Sequence, residues 1–338
     1  MTEEIIILCP EIAPGAGGVA DYTLRVVEQW RDRWPVRFLV PETVKRDGRA
    51  LRKKLPAHGG RVLLQYSAYG FDRLGYPRWL LRELAAWKKS SGGLLVVMFH
   101  EIWTFWPVLN KNYLVQQLHR RDIAKLLAAA DAVFTSTDSQ AEHLRALVPR
   151  EIEVLPVGSN IRVTEGTDAR RPGQAVVFGL EGSRIRTLRQ MQADLRSLAA
   201  ANKITRIISV GGANTERGEE EERELLTALP LSDGFAQRGA LPELAVSQLL
   251  LESSFGISTQ DELSLTKSGT VMAYAAHGLN ILSPEIGWLT QPAELVRGIA
   301  TDELQKRAND LHAWQEQTAS WPRIAERFAT ALQMATPL

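Results

Sequence analysis

The chain has 338 residues, 45% hydrophobic and 23% charged, with a net charge of +1. That length exceeds one comfortable core and suits two domains, and the near-neutral balance gives no general case for nucleic acid. Cys9 is the single cysteine, which excludes an intrachain disulfide and points to a reducing, cytoplasmic compartment.

The start is acidic where a signal peptide would be basic, and the longest apolar runs (5–9 and 94–99) are strand-length, far short of a membrane span. Residues 1–160 carry 22 Lys and Arg against 17 Asp and Glu, and the remainder 18 against 22. A mildly basic first half fits an anionic partner or a peripheral place on the inner face of a membrane.

In chain order, residues 4–9 read as a strand buried on both faces of a parallel sheet, followed by a Gly-rich loop (10–18) and a helix (19–34). Strands at 36–40, 61–65, 94–99, 132–136 and 152–156 then alternate with helices at 78–89, 113–130 and 140–147, the pattern of βαβ units. In such sheets ligands bind beyond the carboxyl ends of the strands. Gly15-x-Gly17-x-x-Ala20, with Glu42 further on, formally fits the dinucleotide fingerprint and keeps an NAD(P)-dependent oxidoreductase as an alternative. Its spacing argues against that alternative, because residues 10–14 separate the strand from the first glycine. The strand at 94–99 ends in His100-Glu101, placed to touch a ligand, and Trp103, Phe105 and Trp106 follow as a sheet cover or as an acceptor- or lipid-facing patch. Arg120, Arg121 and Lys125 read as a solvated helix face. The sequence holds no His-Glu-x-x-His, Cys/His cluster, Walker loop or Gly-x-Ser-x-Gly elbow.

Between residues 156 and 172 a polar Gly/Ser/Thr-rich stretch reads as the domain boundary. Alternation resumes with strands at 174–178, 204–210, 235–238 and 255–258 and helices at 187–201, 219–229 and 244–251. The loop after 178 offers Gly179, Arg184 and Arg186, suited to bidentate phosphate contact, and the next offers Gly211 and Gly212, where a base or ribose lies close. Glu219 to Glu222 read as a solvated helix start.

Residues 261–278 are the strongest signal. Acidic Asp261 and Glu262 lead through Lys267, Ser268, Gly269 and Thr270 into a helix stopped by Gly278. A helix N-terminus with unpaired N–H groups, a glycine and an adjacent lysine makes a seat for a phosphate. The tail is helical with a break at Trp321-Pro322, and Trp314, Trp321 and Phe328 recur every seven residues as a stripe buried against a domain.

Taken together, in order, these pieces resemble glycosyltransferases of the GT-B fold, family 4 type. The carriers are Pro-Gly-Ala-Gly-Gly-Val-Ala-Asp-Tyr (14–22), His100-Glu101, Ala-Asp-Ala-Val (130–133), Leu-Pro-Val-Gly-Ser-Asn (155–160), Phe178-Gly179, the ending Ala275-Ala276-His277-Gly278, and Ser320-Trp321 with Ile324-Ala325. The resemblance implies an α/β protein with two Rossmann-like parallel-sheet domains facing a central cleft: an acceptor domain at 1–158, a nucleotide-sugar domain at 172–300, and helices at 301–338 packing back. It implies transfer from a nucleotide-diphosphate sugar to a glycan, glycolipid or small-molecule acceptor, with retention and without a metal or other cofactor.

Residue by residue, the resemblance places Gly17 and Gly18 along the phosphates and acceptor, and His100 at the donor sugar. Arg184 or Arg186 and Lys267 fall at the diphosphate, with Ser268, Gly269 and Thr270 hydrogen-bonding the same group. Glu262 stands for the first of the family's two glutamates, but Ala273 occupies the position of the second, which normally holds the donor ribose. That departure keeps a second alternative, a catalytically degenerate relative acting as a binding module.

Overall fold

The computed structural model describes residues 4–13, 17–31, 33–165, 170–212 and 214–333. Gly15 and Ala16 of the dinucleotide-like pattern, and Pro14 before them, therefore lie outside the described residues. Contacts divide the chain into two units, residues 1–156 with 321–338, and residues 157–320.

The first unit is built on strands β1 (Ile5–Leu8), β2 (Val36–Leu39), β3 (Arg61–Tyr66), β4 (Leu94–Phe99), β5 (Ala132–Thr135) and β6 (Glu153–Val154). They form one parallel sheet in the order β2-β1-β3-β4-β5-β6. Its helices are α1 (Gly18–Gln29), α2 (Gly48–Arg52), α3 (Ala68–Phe71), α4 (Arg78–Ser91), α5 (Tyr113–Ala129) and α6 (Asp138–Arg145). β1 is Ile-Ile-Ile-Leu, buried at every position because helices cover both faces. α4 presents Leu80, Leu81, Leu84 and Trp87 to the sheet at helical spacing and ends at Gly92 with φ 67°, a conformation a glycine adopts freely. Full burial of each such side chain contributes about 1.5–3 kcal/mol. The order reverses direction between β1 and β3, which opens a crevice at the carboxyl ends there.

The second unit has strands β7 (Arg171–Phe178), β8 (Arg206–Val210), β9 (Phe235–Gln237), β10 (Ser253–Ile257) and β11 (Asn280–Leu282). They are parallel in the order β11-β10-β7-β8-β9, and the reversal falls between β7 and β10. Its helices are α7 (Glu181–Gln190), α8 (Gln192–Ala200), α9 (Glu216–Thr227), α10 (Glu243–Leu251), α11 (Gly269–Ala276), α12 (Pro292–Arg297) and α13 (Thr301–Thr318). Along β7 the side chains alternate: Val176 enters the core that holds Tyr274 and Leu250, and Ala175 and Val177 enter the core that holds Leu188 and Leu226.

The division between the units falls between Pro156 and Val157, at the start of the stretch read as the boundary, and where that stretch is described it packs on the second unit: Val157 N–H donates to Thr266 O (2.9 Å), and Ile161 is buried in that unit's core. Two expectations change. The tail divides. α13 packs on α11 and β11, whereas α14 (Trp321–Ala331) returns to α1, with Trp30 Nε1 donating to Ala325 O (3.2 Å) and Arg327 clamping Glu153. The seven-residue stripe is therefore split, since Trp314 packs on the second core while Trp321 and Phe328 meet Tyr22 edge-on in the first unit. The helix read at 187–201 is two helices, and the first begins at Glu181, which moves Arg184 from a loop onto a helix.

Each unit buries a neutral histidine. His277 Nδ1–H donates to Ala273 O (2.7 Å), which leaves Nε2 to accept from Ser247 Oγ (2.9 Å). His119 Nε2 lies 2.6 Å from Tyr66 Oη. Burial pushes both imidazoles down to about 4. A folded value below the unfolded one, about 6.5, means this stability is intact above pH 6.5 and is lost as pH falls toward 4, by up to about 3 kcal/mol per ring. Urea midpoints measured from pH 7 to 4 should fall steadily across that window, and a flat profile would contradict neutral burial of both rings.

Candidate functional site

The chemistry of the second unit gathers at the carboxyl ends of β7, β8 and β10. α11 is capped by Ser268, whose Oγ accepts from Val271 N–H (3.3 Å). Ser268 N–H itself donates to Leu265 O (3.0 Å). Gly269 and Thr270 N–H groups then stand at the helix tip with no acceptor among the described residues, on the end of the helix that carries partial positive charge. The far end closes as a Schellman turn: Leu279 N–H bonds to Tyr274 O (3.0 Å) and Gly278, at φ 66°, bonds to Ala275 O (3.0 Å). The helix predicted from sequence is present within one residue at each end.

Gly179 lies against this tip, where a Cβ would come 3.7 Å from Thr270 Oγ1. Its φ is 141°, and that of Gly211 is 149°. A Cβ on Gly211 would sit 1.8 Å from Gly179 O, so the loops after β7 and β8 touch backbone to backbone and exclude any side chain. Beyond Val176 the pairing of β10 with β7 stops at Gly256, and the Phe178 N–H is taken by Tyr274 Oη instead (2.8 Å). A Cβ on Gly256 would meet the Tyr274 ring at 2.5 Å, so that glycine is what admits the ring between the parting strands. The tip of α11, Gly179 and Gly211 thus edge the crevice that the strand order opens.

Not every expected residue lies there as an exposed ligand. Arg184 is buried: its Nε donates to Ser209 Oγ (3.0 Å) and Glu222 Oε1 (3.0 Å), its Nη1 to Gly179 O (2.7 Å), and its Nη2 to Asn214 Oδ1 (2.9 Å) and Glu222 Oε2 (3.2 Å). The cause is the early start of α7, which puts Arg184 on the same inward face as Leu188, four residues on. Burial alone would raise the Glu222 carboxyl, but hydrogen bonds from Arg184, Ser209 and Gln237 outweigh it and hold Glu222 below the ordinary carboxylate range. This corrects two readings. Arg184 organises the glycine loops instead of facing solvent, and Glu222 is its buried partner instead of a solvated residue.

Ser268 Oγ accepts the cap hydrogen bond from Val271 N–H, which leaves its O–H, like the Thr270 hydroxyl and the free backbone N–H groups, able to donate to a ligand. Arg186 and Lys267 are exposed, and Lys267 makes no ion pair with a described residue. Gly212 follows Gly211 in the same loop, with open space on one side apart from Ala240 Cβ at 3.8 Å. Glu262 lies in the turn before Lys267 and accepts from Trp288 Nε1 (3.2 Å). Ala273 is fully buried in the apolar core, so no carboxylate faces the crevice from that position.

Sequence reasoning passed over the clamp between helices α7 and α9. Glu181 accepts from Thr215 N–H and Oγ1, and a Cβ on Gly218 would strike the Glu181 carboxylate. Arg238, exposed at the end of β9, was also missed, its only signal being its place at a strand's carboxyl end.

In the first unit, Gly17 N-caps α1 with extended backbone, and Gly18 has no neighbour within 4 Å of a Cβ position. His100 follows β4 and is 6% exposed, with Nε2 2.7 Å from Gln65 Oε1 and its ring edge-on to Tyr22 at 4.8 Å. Two buried polar atoms beside it, Tyr22 Oη and Gln65 Nε2, have no partner among the described residues, and such atoms call for a ligand or water. Glu42 is exposed and pairs with Arg46 (3.6 Å). A cavity of about 280 Å³ adjoins, lined by Tyr69, Glu101, Trp103, Phe105, Gln140 and His143 among others. Glu101 accepts from Ser67 Oγ (2.7 Å), and Phe105 packs edge-on against His143. Among the described residues no group of three or more His, Cys, Asp or Glu is arranged to hold a metal.

No protein-family description matches the chain, and no curated protein matches it by sequence. Solved structures do match over its whole length. HepE from Anabaena, in complex with UDP and glucose, aligns over 98% of this chain and 99% of its own at TM-score 0.60 and 14% identity. Sucrose-phosphate synthase from Thermosynechococcus elongatus aligns over 98% of both chains at TM-score 0.62 and 13% identity. Trehalose 6-phosphate synthase from Burkholderia multivorans aligns over 98% of both at TM-score 0.56 and 12% identity. The chain has the GT-B fold. In this GT-B protein the α/β architecture expected from sequence is present, with one parallel sheet in each unit.

Proposed function

We propose that the chain is a retaining, family 4-like glycosyltransferase that moves a sugar from a nucleotide-diphosphate donor to a sugar, glycolipid or polysaccharide acceptor, without a resident metal. The observation that carries this reading is the α11 tip beside Gly179: two unpaired backbone N–H groups, the Thr270 hydroxyl and the adjacent Lys267. As the sugar–oxygen bond breaks, the leaving diphosphate gains negative charge. Donors held in place before that moment stabilise it by about 3 kcal/mol each in comparable oxyanion sites. The fold's likeness to HepE with UDP and to the two sugar-phosphate synthases supports a nucleotide-sugar donor. With Ala273 buried, the ribose contact passes to other groups of the crevice, for which the Thr270 hydroxyl beside Gly179 is a candidate.

The first unit supplies the acceptor side. A carboxylate, an amide and aromatic faces around one cavity suit a sugar, whose hydroxyls bond to Glu101 and Gln140 while its C–H face packs on an aromatic ring. His100, with the unpaired Tyr22 and Gln65 atoms beside it, offers further polar contacts to a sugar hydroxyl.

Calorimetry with UDP-, GDP- and ADP-sugars tests the reading. One donor should bind and should be hydrolysed slowly to free nucleotide in the absence of acceptor. Binding without any turnover would favour the degenerate binding module that Ala273 keeps open. Failure of the whole panel, with fluorescence enhancement of added NAD(P)H, would replace the proposal by the oxidoreductase.

A further inference from the structure

The first unit carries an apolar surface that no core requires. Leu109 is 100% exposed, Leu74 85%, Leu114 72% and Val108 71%, and Leu118 lies half exposed one turn after Leu114. These residues sit on three adjoining segments. Tyr69 Oη meets Thr104 Oγ1 (2.6 Å), Trp106 N–H donates to Gln116 Oε1 (2.5 Å), and Tyr76 Oη donates to Asp122 on α5 (2.5 Å). α3 with the loop at 72–76 that follows it, the loop at 101–112 and α5 are thereby stapled side by side. Soluble surfaces scatter single exposed leucines, whereas a grouped set marks an interaction site.

Charge decides what covers it. Residues 102–121 contain no Asp or Glu, in a chain with 39 of them, and they carry Lys111, Arg120 and Arg121. Lys111 and Arg121 are exposed, as is Arg73 next to Leu74. Arg120 is drawn back over the Trp103 ring at 5.3 Å. The carboxylates near the patch are engaged: Asp122 is buried, with Arg82 and Lys125 on it, and Asp72 accepts the Leu74 N–H (2.9 Å). Aliphatic side chains, flanking aromatics and a rim on which Arg73, Lys111, Arg120 and Arg121 outnumber Asp72 and Glu101 match a bilayer interface with anionic headgroups, where apolar groups enter the acyl boundary and Lys and Arg meet lipid phosphates.

We infer that this face docks the protein on an anionic lipid bilayer through Leu74, Val108, Leu109, Leu114 and Leu118, with Arg73, Lys111 and Arg121 at the headgroups. The docking does not depend on which reaction the chain performs, so its test reads lipid binding alone.

Flotation of the full chain with phosphatidylcholine vesicles, with and without about one-third phosphatidylglycerol, tests the inference. The wild-type chain should float with the anionic vesicles and bind pure phosphatidylcholine far more weakly. Leu109→Ser/Leu114→Ser should lower partitioning about tenfold or more, and Lys111→Glu/Arg121→Glu about fivefold per charge, the latter loss vanishing at high salt. These side chains are exposed, so thermal melts of both variants should match the wild type and show that the loss is one of binding. Equal flotation of variants and wild type would overturn the inference, as would no flotation at all. A concentration-dependent dimer that Leu109→Ser/Leu114→Ser dissolves, seen by light scattering without vesicle binding, would overturn it in favour of a second copy.

Discussion

Replacing Arg184 by methionine is expected to destabilise the second unit by about 3–5 kcal/mol, because it leaves the Glu222 carboxylate buried without its partner. For a unit of this size that corresponds to a melting shift of roughly 10 °C. The size of the effect comes from geometry. Glu222 is 1% exposed, its oxygens take Arg184 and Ser209, and the same guanidinium holds the Gly179 carbonyl that lies against Gly211. Removing the fork also releases the loop that edges the crevice, so nucleotide binding should weaken along with the fold. Arg184→Met/Glu222→Leu, which removes both charges, should recover most of the lost stability without restoring the loop. If Arg184→Met instead unfolded at the wild-type midpoint and lost only nucleotide affinity, Arg184 would have to leave Glu222 and act directly on phosphate, as the sequence alone implies.

Lys267→Ala is expected to do the opposite: the fold keeps its stability within about 0.5 kcal/mol while turnover falls about 10²–10³-fold. Lys267 is exposed and makes no ion pair with a described residue, so nothing in the fold depends on its charge. It stands directly before the α11 cap in the chain, within reach of the helix tip where the Gly269 and Thr270 N–H groups are unpaired among the described residues. The loss should fall mainly on kcat, because the charge it answers is fullest when the diphosphate leaves. Lys267→Arg should retain part of the rate. Nucleotide release measured on melt-matched protein checks this, and undiminished release by the alanine variant would remove Lys267 from the site.

The two substitutions separate what could be read along the chain from what could not. The capped helix proposed as an anion seat was legible because its parts are contiguous: a capping serine, a glycine, a lysine and a stop at Gly278 fall within twelve residues, and helix capping is a local matter. The role of Arg184 was not legible. Its register depends on α7 starting at Glu181, and its partner Glu222 is 38 residues away on another helix. The tail shows the same limit. Seven-residue spacing of Trp314, Trp321 and Phe328 suggested one stripe, but the break between α13 and α14 sends the first of them to one core and the others to another.

By itself, the order of residues determined the α/β class, the parallel strands, the capped helix with its open N-terminal N–H groups and the loops at the strand ends. All of these follow from hydrophobic period, capping chemistry and glycine placement over short spans. Tertiary structure alone decided which cations face solvent, which glycine loops touch, where the tail divides and which leucines stay uncovered. Those outcomes depend on pairings between residues far apart in the chain, and burial turns the same arginine from a ligand into a brace once a buried carboxylate lies within reach.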